Sequence, residues 1–482
     1  MIFDRLLDVA DAAPETSGLR YESQFYSYAS LAHRIDRLAA GFRNRGIGQG
    51  SVVALLIPNS PDIFAVAHAL FAIGAIAMPL GLTATRAELA ILAAKTGLAA
   101  VVAAPAFRTS AEALIVDANP KAPLYLTADL AQIEAAPFAL PRLPDSTTAL
   151  YLFSSGSTGL PKVVPHTHAE LIADGIRTSA AWDLRPDDVV VNILPPNFAM
   201  GFLLGVMDVL SGHATTFYWN DPLPLALSRR KLLESMVREN ASVLGAVPAM
   251  HEIITSQAGA FDLKLRLAFS GGAGLKRPVF DAFKDRFGIA LRQSYGSTEA
   301  IMVSHNDSVD LEASWNSVGR PSGDAEVRVA GRDEIGELEV RSSSVMQGYL
   351  GDTIANAQGF DGDWFRTGDL ASLDDEGRIY IRGRSKLLIE VSGYKIDPLE
   401  VEDTLAAHPA VAELAITGIP DARSGNRLRA YVVKKSAVSA DEIMTFARSR
   451  LSIQKVPAEV EFLDVLPKSP TGKLMRTKLT ER

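Results

Sequence analysis

One segment has the residue types and spacing for polyphosphate chemistry: Ser154-Ser155-Gly156-Ser157-Thr158-Gly159-Leu160-Pro161-Lys162, following the apolar run Ala149–Phe153. Glycines let a backbone turn tightly and aim N–H groups at an anion. The serines and Thr158 add hydroxyl donors, and Lys162 adds a mobile cation. It is not a Walker A loop, because no Lys-Ser or Lys-Thr follows the second glycine. A Ser/Gly-rich surface loop is the plainer reading of the same residues.

Four further segments carry chemistry of their own. Gly271-Gly272-Ala273-Gly274 permits close backbone approach but lacks dinucleotide-fingerprint spacing. Gln293-Ser294-Tyr295-Gly296-Ser297-Thr298-Glu299 puts an aromatic face, hydroxyls and a carboxylate close together. The aromatic suits a base and the carboxylate suits Mg²⁺ bridging phosphates. Trp364-Phe365-Arg366-Thr367-Gly368-Asp369 ends in a carboxylate suited to a ribose diol. Pro467-Lys468-Ser469-Pro470-Thr471-Gly472-Lys473 puts a lysine on a glycine-hinged loop. Each of these alone is more often an ordinary turn than a site.

The elements that must hold these segments read as α/β. The chain has 482 residues, 48% of them hydrophobic and 22% charged, which suits folded domains, two or three by length. A net charge of −8 offers no broad attraction for nucleic acid. With no cysteine, disulfides, zinc-thiolate sites, iron–sulfur clusters and cysteine nucleophiles are excluded. The first residues, MIFDRLLDVADAAPE, meet acids and a proline before any signal-peptide apolar core. The apolar stretch Ala65–Leu82 contains His68, Gly74 and Pro79, and reads as a buried helix and its exit rather than a membrane span. The cytoplasm is the expected location.

Apolar spacing predicts a helix from Tyr28 to Arg45, a buried strand Val52–Ile57 and a helix from about Asp62 to Ile73. Strands are expected at Asp188–Leu194, Val243–Ala246 and Arg266–Phe269, with a helix at Lys231–Asn240. Such alternation argues for a mostly parallel sheet. Between Gly319 and Tyr349 alternating patterns predict a small β-rich subdomain. Beyond residue 384 two helices, Pro398–Ala407 and Ala440–Leu451, and strands Glu413–Gly418 and Ala430–Val433 suggest a small α+β domain. The polar run Arg382–Lys386 reads as a hinge.

In this order the segments resemble the adenylate-forming (ANL) superfamily of acyl- and aryl-CoA synthetases, stand-alone adenylation enzymes and luciferases. The resemblance covers about residues 25–478 and rests on Ser154–Lys162, Tyr295–Glu299, Trp364–Asp369, Gly383–Glu402 and Pro467–Lys473. It implies a large N-terminal domain (1–383) of α/β subdomains and a β-rich one, a hinge (384–388) at Lys386, and a small mobile α+β C-terminal domain (389–482).

The resemblance also implies roles. Ser154, Ser155, Gly156, Ser157, Thr158, Gly159 and Lys162 would cradle the ATP phosphates. Gly272, Ala273, Gly274, Ser294 and Gly296 would flank the nucleotide, with Tyr295 against adenine. Thr298 would reach the α-phosphate and Glu299 would bind Mg²⁺. Asp369 would accept the ribose hydroxyls, supported by Arg384. Lys473 would bridge the carboxylate and the α-phosphate, offsetting the repulsion of two anions. A rotation about Lys386 would then withdraw Lys473 and bring in Ser392 and Gly393 beside the arm of coenzyme A.

For the acid, the family's pocket motif falls on Leu194–Gly201, with Asn197, Phe198, Ala199 and Met200 as lining. Gly272, Gly296, Ile301 and Met302 would complete it. Asn197-Phe198 is similar to the Asn-aromatic pair of the aryl-acid branch, although Pro196 replaces its usual histidine. Phe198-Ala199-Met200 supplies no carboxylate for an α-ammonium, which argues against amino acids. An aromatic or similarly compact acid is expected, with a medium-chain fatty acid as competitor.

Other departures are Val163 after the loop lysine and Ser424 where some relatives stack an aromatic on the coenzyme. Coenzyme A is the expected acceptor, since no attached carrier domain is present; a separate carrier protein is the alternative, and a silent nucleotide-binding protein a third class. The pair His166 and His168, without cysteine or a nearby acid, is not expected to hold metal; His168 would instead shape the end of the phosphate loop. The basic run Arg423–Arg429 reads either as a contact for a coenzyme A phosphate or as a solvated loop.

Overall fold

Period-two burial organises the core. The computed structural model describes residues 1–12, 16–154, 162–206, 213–331, 334–384, 389–391, 394–396, 398–421, 425–451, 453–468 and 474–480. It divides into two compact units: Met1–Arg328, Glu339–Thr367 and Leu373–Tyr380 form the first; Val329–Leu338, Gly368–Ser372 and Ile381–Arg482 form the second.

The first unit contains two large sheets. In the six-stranded one the spatial order is Leu124–Leu126, Leu98–Ala103, Val52–Leu56, Ile76–Pro79, Thr148–Ser154 and Lys162–Thr167. All neighbours are parallel except the last pair, which runs antiparallel with Ser154 opposite Lys162. The nine-stranded sheet has a parallel centre, Arg292–Ser297, Leu267–Ser270, Val243–Ala246, Val189–Asn192, Thr215–Tyr218 and Gly18–Tyr21, with antiparallel strands at its edges.

Within Val52–Leu56, Val53 and Leu55 face a core shared with Val190, Tyr218 and Phe269 of the other sheet. Val52, Ala54 and Leu56 face a separate cluster with Leu89, Leu92 and Leu114. The opposite face of the nine-stranded sheet buries Val191, Leu244 and Ala268 against Leu232, Phe280 and Phe283. Three apolar layers thus enclose two sheets, each sheet buried on both faces, as parallel sheets require.

The helix expected from Tyr28 ends at Arg43, with Ser27 capping its start, and buries Leu31, Ile35, Leu38 and Phe42. The stretch Ala65–Leu82 contributes the end of the buried helix Pro61–Ala72 and the buried strand Ile76–Pro79. Its apolarity is spent inside the shared core. Among the described residues no helix is long and apolar enough to cross a membrane.

The second unit packs helices Pro398–Ala406 and Ala440–Arg448 on a small sheet, with Val401, Leu405, Ile416, Ala430 and Ile443 in its core. Its central strand, Gly425–Lys434, pairs antiparallel with Val411–Asp421 and parallel with Glu459–Leu463. The strand Glu459–Leu463 and the hairpin Ile389–Val391 with Tyr394–Ile396 were not anticipated, being short and only partly apolar. The fold is the α/β class expected, a large N-terminal and a small C-terminal assembly.

Candidate active site

Strand Arg292–Ser297 delivers Tyr295 and Gly296 to a turn, Ser297–Ala300, that returns into strand Ile301–His305. The register between these strands shifts at Tyr295 and Gly296. Gly296 is required there: a Cβ would lie 2.0 Å from the Ile301 carbonyl oxygen. Ile301 itself adopts φ +55°, unusual for a β-branched residue. Ser294 Oγ lies 2.8 Å from His305 Nδ1. Burial, aided by Arg292, pushes His305 down to about 3, so its ring is neutral near pH 7.

The backbone of this turn is held from behind. His166 Nε2 lies 2.8 Å from the Thr298 carbonyl oxygen, and its Nδ1 is 3.4 Å from Glu170 Oε2. Glu170 lies in the first turn of helix His168–Ala181, where it forms a capping box with Thr167. One turn on, Asp174 accepts from Met302 N at 3.0 Å; the next turn brings Arg177, which donates to the Met302 carbonyl at 2.8 Å. Ile301 and Met302 are both buried in the shared core.

The side chains of the turn meet a third segment. Glu299 Oε1 accepts from the Tyr349 hydroxyl at 3.0 Å, and Lys162 Nζ lies 4.3 Å from the centroid of the Tyr349 ring. Met346 N donates to the Glu299 carbonyl at 2.8 Å, and Leu350 N to the Val163 carbonyl at 3.0 Å. Val163 is a strand residue packed in the core. One short segment therefore ties the base of the Ser/Gly-rich loop to the Thr298–Glu299 turn.

The pocket motif adjoins the same strands. At Gly271 a Cβ would sit 3.1 Å from Met200 Sδ and 3.4 Å from the Ser294 carbonyl oxygen. Gly272 adopts φ +76°, a turn that follows strand Leu267–Ser270 and precedes Ala273 and Gly274. A Cβ at Gly81 would lie 3.6 Å from Asn197 Nδ2. Phe198 N donates to the Pro195 carbonyl at 3.1 Å, and helix Ala199–Val206 starts immediately after. Two buried amides fix this loop: Asn59 Nδ2 donates to the Leu194 carbonyl at 2.9 Å and Asn192 Nδ2 to that of Gly201 at 2.8 Å.

In the second unit Arg384 Nε pairs with Asp369 Oδ1 at 2.7 Å, and Asp369 is buried. Gly368 N donates to Glu337 Oε1 at 3.1 Å, with φ +74° at this glycine. The anticipated Ser155, Gly156, Ser157, Thr158, Gly159, Lys386, Ser392, Gly393, Ser424 and Lys473 lie outside the described residues.

One expectation changes. It is His166, not His168, that reaches the site: His168 Nδ1 faces Ile2 N at 3.4 Å and its ring meets the edge of Phe71. In the basic run, Arg427 pairs with Asp421 at 2.9 Å and Arg429 with Glu459 at 2.6 Å. Sequence reasoning missed Tyr349, His166, Asn59 and Asn192 as site-building residues. Only the His166 motif had drawn notice.

Among the described residues no three His, Cys, Asp or Glu side chains gather to form a metal cage. A single carboxylate, Glu299, oriented by a hydroxyl donor, fits Mg²⁺ of the kind held by one or two carboxylates together with substrate phosphates.

Comparison with known proteins agrees. The profile of the AMP-binding enzyme family matches residues 7–350, and that of the AMP-binding enzyme C-terminal domain matches residues 400–473. The feruloyl-CoA synthase of Amycolatopsis sp is 30% identical over 98% of this chain and 97% of its own. The oxalate–CoA ligase of Arabidopsis thaliana is also 30% identical, over 98% and 96%. Among solved structures, the o-succinylbenzoate CoA synthetase of Bacillus subtilis with its acyl-adenylate has a TM-score of 0.89 at 26% identity, covering 99% of this chain and 98% of its own.

The chain belongs to the AMP-binding enzyme family, within the adenylate-forming superfamily. It is an AMP-forming acyl-CoA ligase that uses ATP and Mg²⁺, with coenzyme A as co-substrate.

Proposed function

We propose that the acid activated is aromatic or similarly compact, and that it is joined to coenzyme A through an acyl-adenylate. The observation that carries this reading is that Met200 Sδ and the Ser294 carbonyl both border Gly271, 3.1 and 3.4 Å from where its Cβ would stand. An apolar motif without an ionisable group, Phe198-Ala199-Met200, thereby abuts the segment assigned to the nucleotide. Such a wall suits a flat or short apolar body better than an ammonium or a second carboxylate. The name of one relative, a feruloyl-CoA synthase, points the same way; the o-succinylbenzoate, oxalate and sulfoacetate ligases act on acids with a second anionic group and make the pocket, not the family, the guide.

In this reading the substrate carboxylate attacks the α-phosphorus; an oxygen–phosphorus bond forms and the bond to the pyrophosphate leaving group breaks. Thr298 and Lys473 hold the α-phosphate and the entering carboxylate, Tyr295 the adenine, and Asp369 with Arg384 the ribose. Glu299 would hold Mg²⁺, which when bound would spread the charge of the polyphosphate. The thiol of coenzyme A, having lost its proton, then attacks the acyl carbon, and AMP leaves. Rotation about Lys386 brings Ser392 and Gly393 into play for the second step. The cytoplasm is our proposed setting, where ATP and coenzyme A are supplied.

The test is a panel of benzoates, hydroxybenzoates, cinnamates, fatty acids and dicarboxylates in acid-dependent ATP–pyrophosphate exchange and coenzyme A-dependent AMP release. Highest kcat/KM for an aryl acid supports the reading. A decisive preference for a fatty acid or dicarboxylate rejects it.

A further inference from the structure

We infer that Tyr349 is a positioning residue that keeps the Lys162 cation and the Glu299 anion apart and turned toward substrate; this rests on the nucleotide-site reading above. Opposite charges on flexible side chains at one site tend to collapse onto each other, which would neutralise the groups needed for a polyphosphate and its metal ion. Here an aromatic ring separates them. Lys162 Nζ lies 4.3 Å from the ring centroid, a cation–π distance, while Glu299 Oε1 accepts from the hydroxyl at 3.0 Å. The cation rests on the face and the anion at the far edge of one side chain.

Tyr349 is built to hold that post. It is buried, and its backbone is clamped on both sides by one amide: Tyr349 N donates to Asn356 Oδ1 at 2.6 Å, and Asn356 Nδ2 donates to the Tyr349 carbonyl at 3.0 Å. The flanking Met346 N–H and Leu350 N–H fix the same segment to Glu299 and Val163, the neighbour of Lys162. A rigid carrier of this kind keeps the hydroxyl where Glu299 needs it. With one carboxylate oxygen engaged by a donor, the carboxylate is held in one orientation for an ion.

The experiment uses the full chain and measures equilibrium ATP binding by calorimetry, once with Mg²⁺ and once with chelator. Tyr349→Phe should weaken binding of ATP with Mg²⁺ by about tenfold, the worth of one hydrogen bond to a charged group, and leave metal-free ATP nearly unchanged. In a Glu299→Gln background the same substitution should add little, because the anion that would hold the metal is already gone. Tyr349→Ala, which also removes the ring under Lys162, should weaken both forms. Equal weakening of both forms by Tyr349→Phe, or full additivity with Glu299→Gln, overturns the inference alone. Failure of the unaltered chain to bind ATP overturns the nucleotide-site reading, and this inference with it.

Discussion

Asp174 accepts a hydrogen bond from the backbone N–H of Met302 at 3.0 Å, across 128 residues of sequence. The bond joins the helix that follows the Ser/Gly-rich segment to the strand that follows Glu299. Burial pushes the Asp174 carboxyl up to about 7, against the opposing pull of Arg177, the Met302 N–H and His166. The folded state therefore binds this proton more tightly than the unfolded chain does. The stability it contributes is present below the unfolded value of 3.8 and is lost as pH rises toward 7. Asp174→Asn keeps an acceptor for Met302 and removes the titration. Urea unfolding should show the variant gaining on the unaltered protein between about pH 4 and pH 7 and levelling off above that; a pH-independent difference contradicts this.

Gly296→Ala should be costly. Its Cβ would approach the Ile301 carbonyl oxygen to 2.0 Å, and backbone cannot swing aside like a side-chain tip. A loss of about 3 kcal/mol is expected, at the upper end for overpacking. Chemical denaturation measures it, and pyrophosphate exchange should fall even where the variant folds.

Gly271→Ala makes the opposite case. Its nearest obstacle is the end of a flexible methionine, Met200 Sδ at 3.1 Å. Stability should change by less than about 1 kcal/mol, in the range of small adjustable contacts. The pocket wall, however, moves inward. KM should rise for bulky aryl acids and remain steady for small ones; a uniform rise across the panel would show that Met200 does not border the acid.

His166→Leu removes the donor to the Thr298 carbonyl and leaves Glu170 facing an alkyl chain. A buried acceptor deprived of its donor costs about 1–3 kcal/mol. Half-saturating ATP should rise as well, since the turn carrying Thr298 and Glu299 loses its anchor. His166→Gln, which restores an N–H donor, should recover part of both; no recovery would assign His166 to packing alone.

Much of this was legible in the sequence. Strand Val243–Ala246 has the expected bounds, and the buried helix Pro61–Ala72 and the helix from Tyr28 differ only at their ends, because apolar period is a local property. The chemistry-bearing segments stood out for a related reason: clustered Gly, Ser and Thr interrupt any apolar period. What was hidden is pairing across the chain. Tyr349 and Glu299 are 50 residues apart, and His166 and Thr298 are 132 apart. A lone tyrosine beside a glycine, or a histidine near a strand end, carries no local mark of its partner. His168 was preferred over His166 although the strand ends at Thr167 and His168 opens the next helix, which turns its ring away from the site.

The composition of the second unit bears on how the protein can be dissected. It draws on three stretches of chain, Val329–Leu338, Gly368–Ser372 and Ile381–Arg482. A stop codon near residue 384 would therefore strand two short pieces in the remaining polypeptide, one of them carrying Asp369 without Arg384. Fragment complementation or excision along the linear boundary would split a unit that the fold assembles from separate parts.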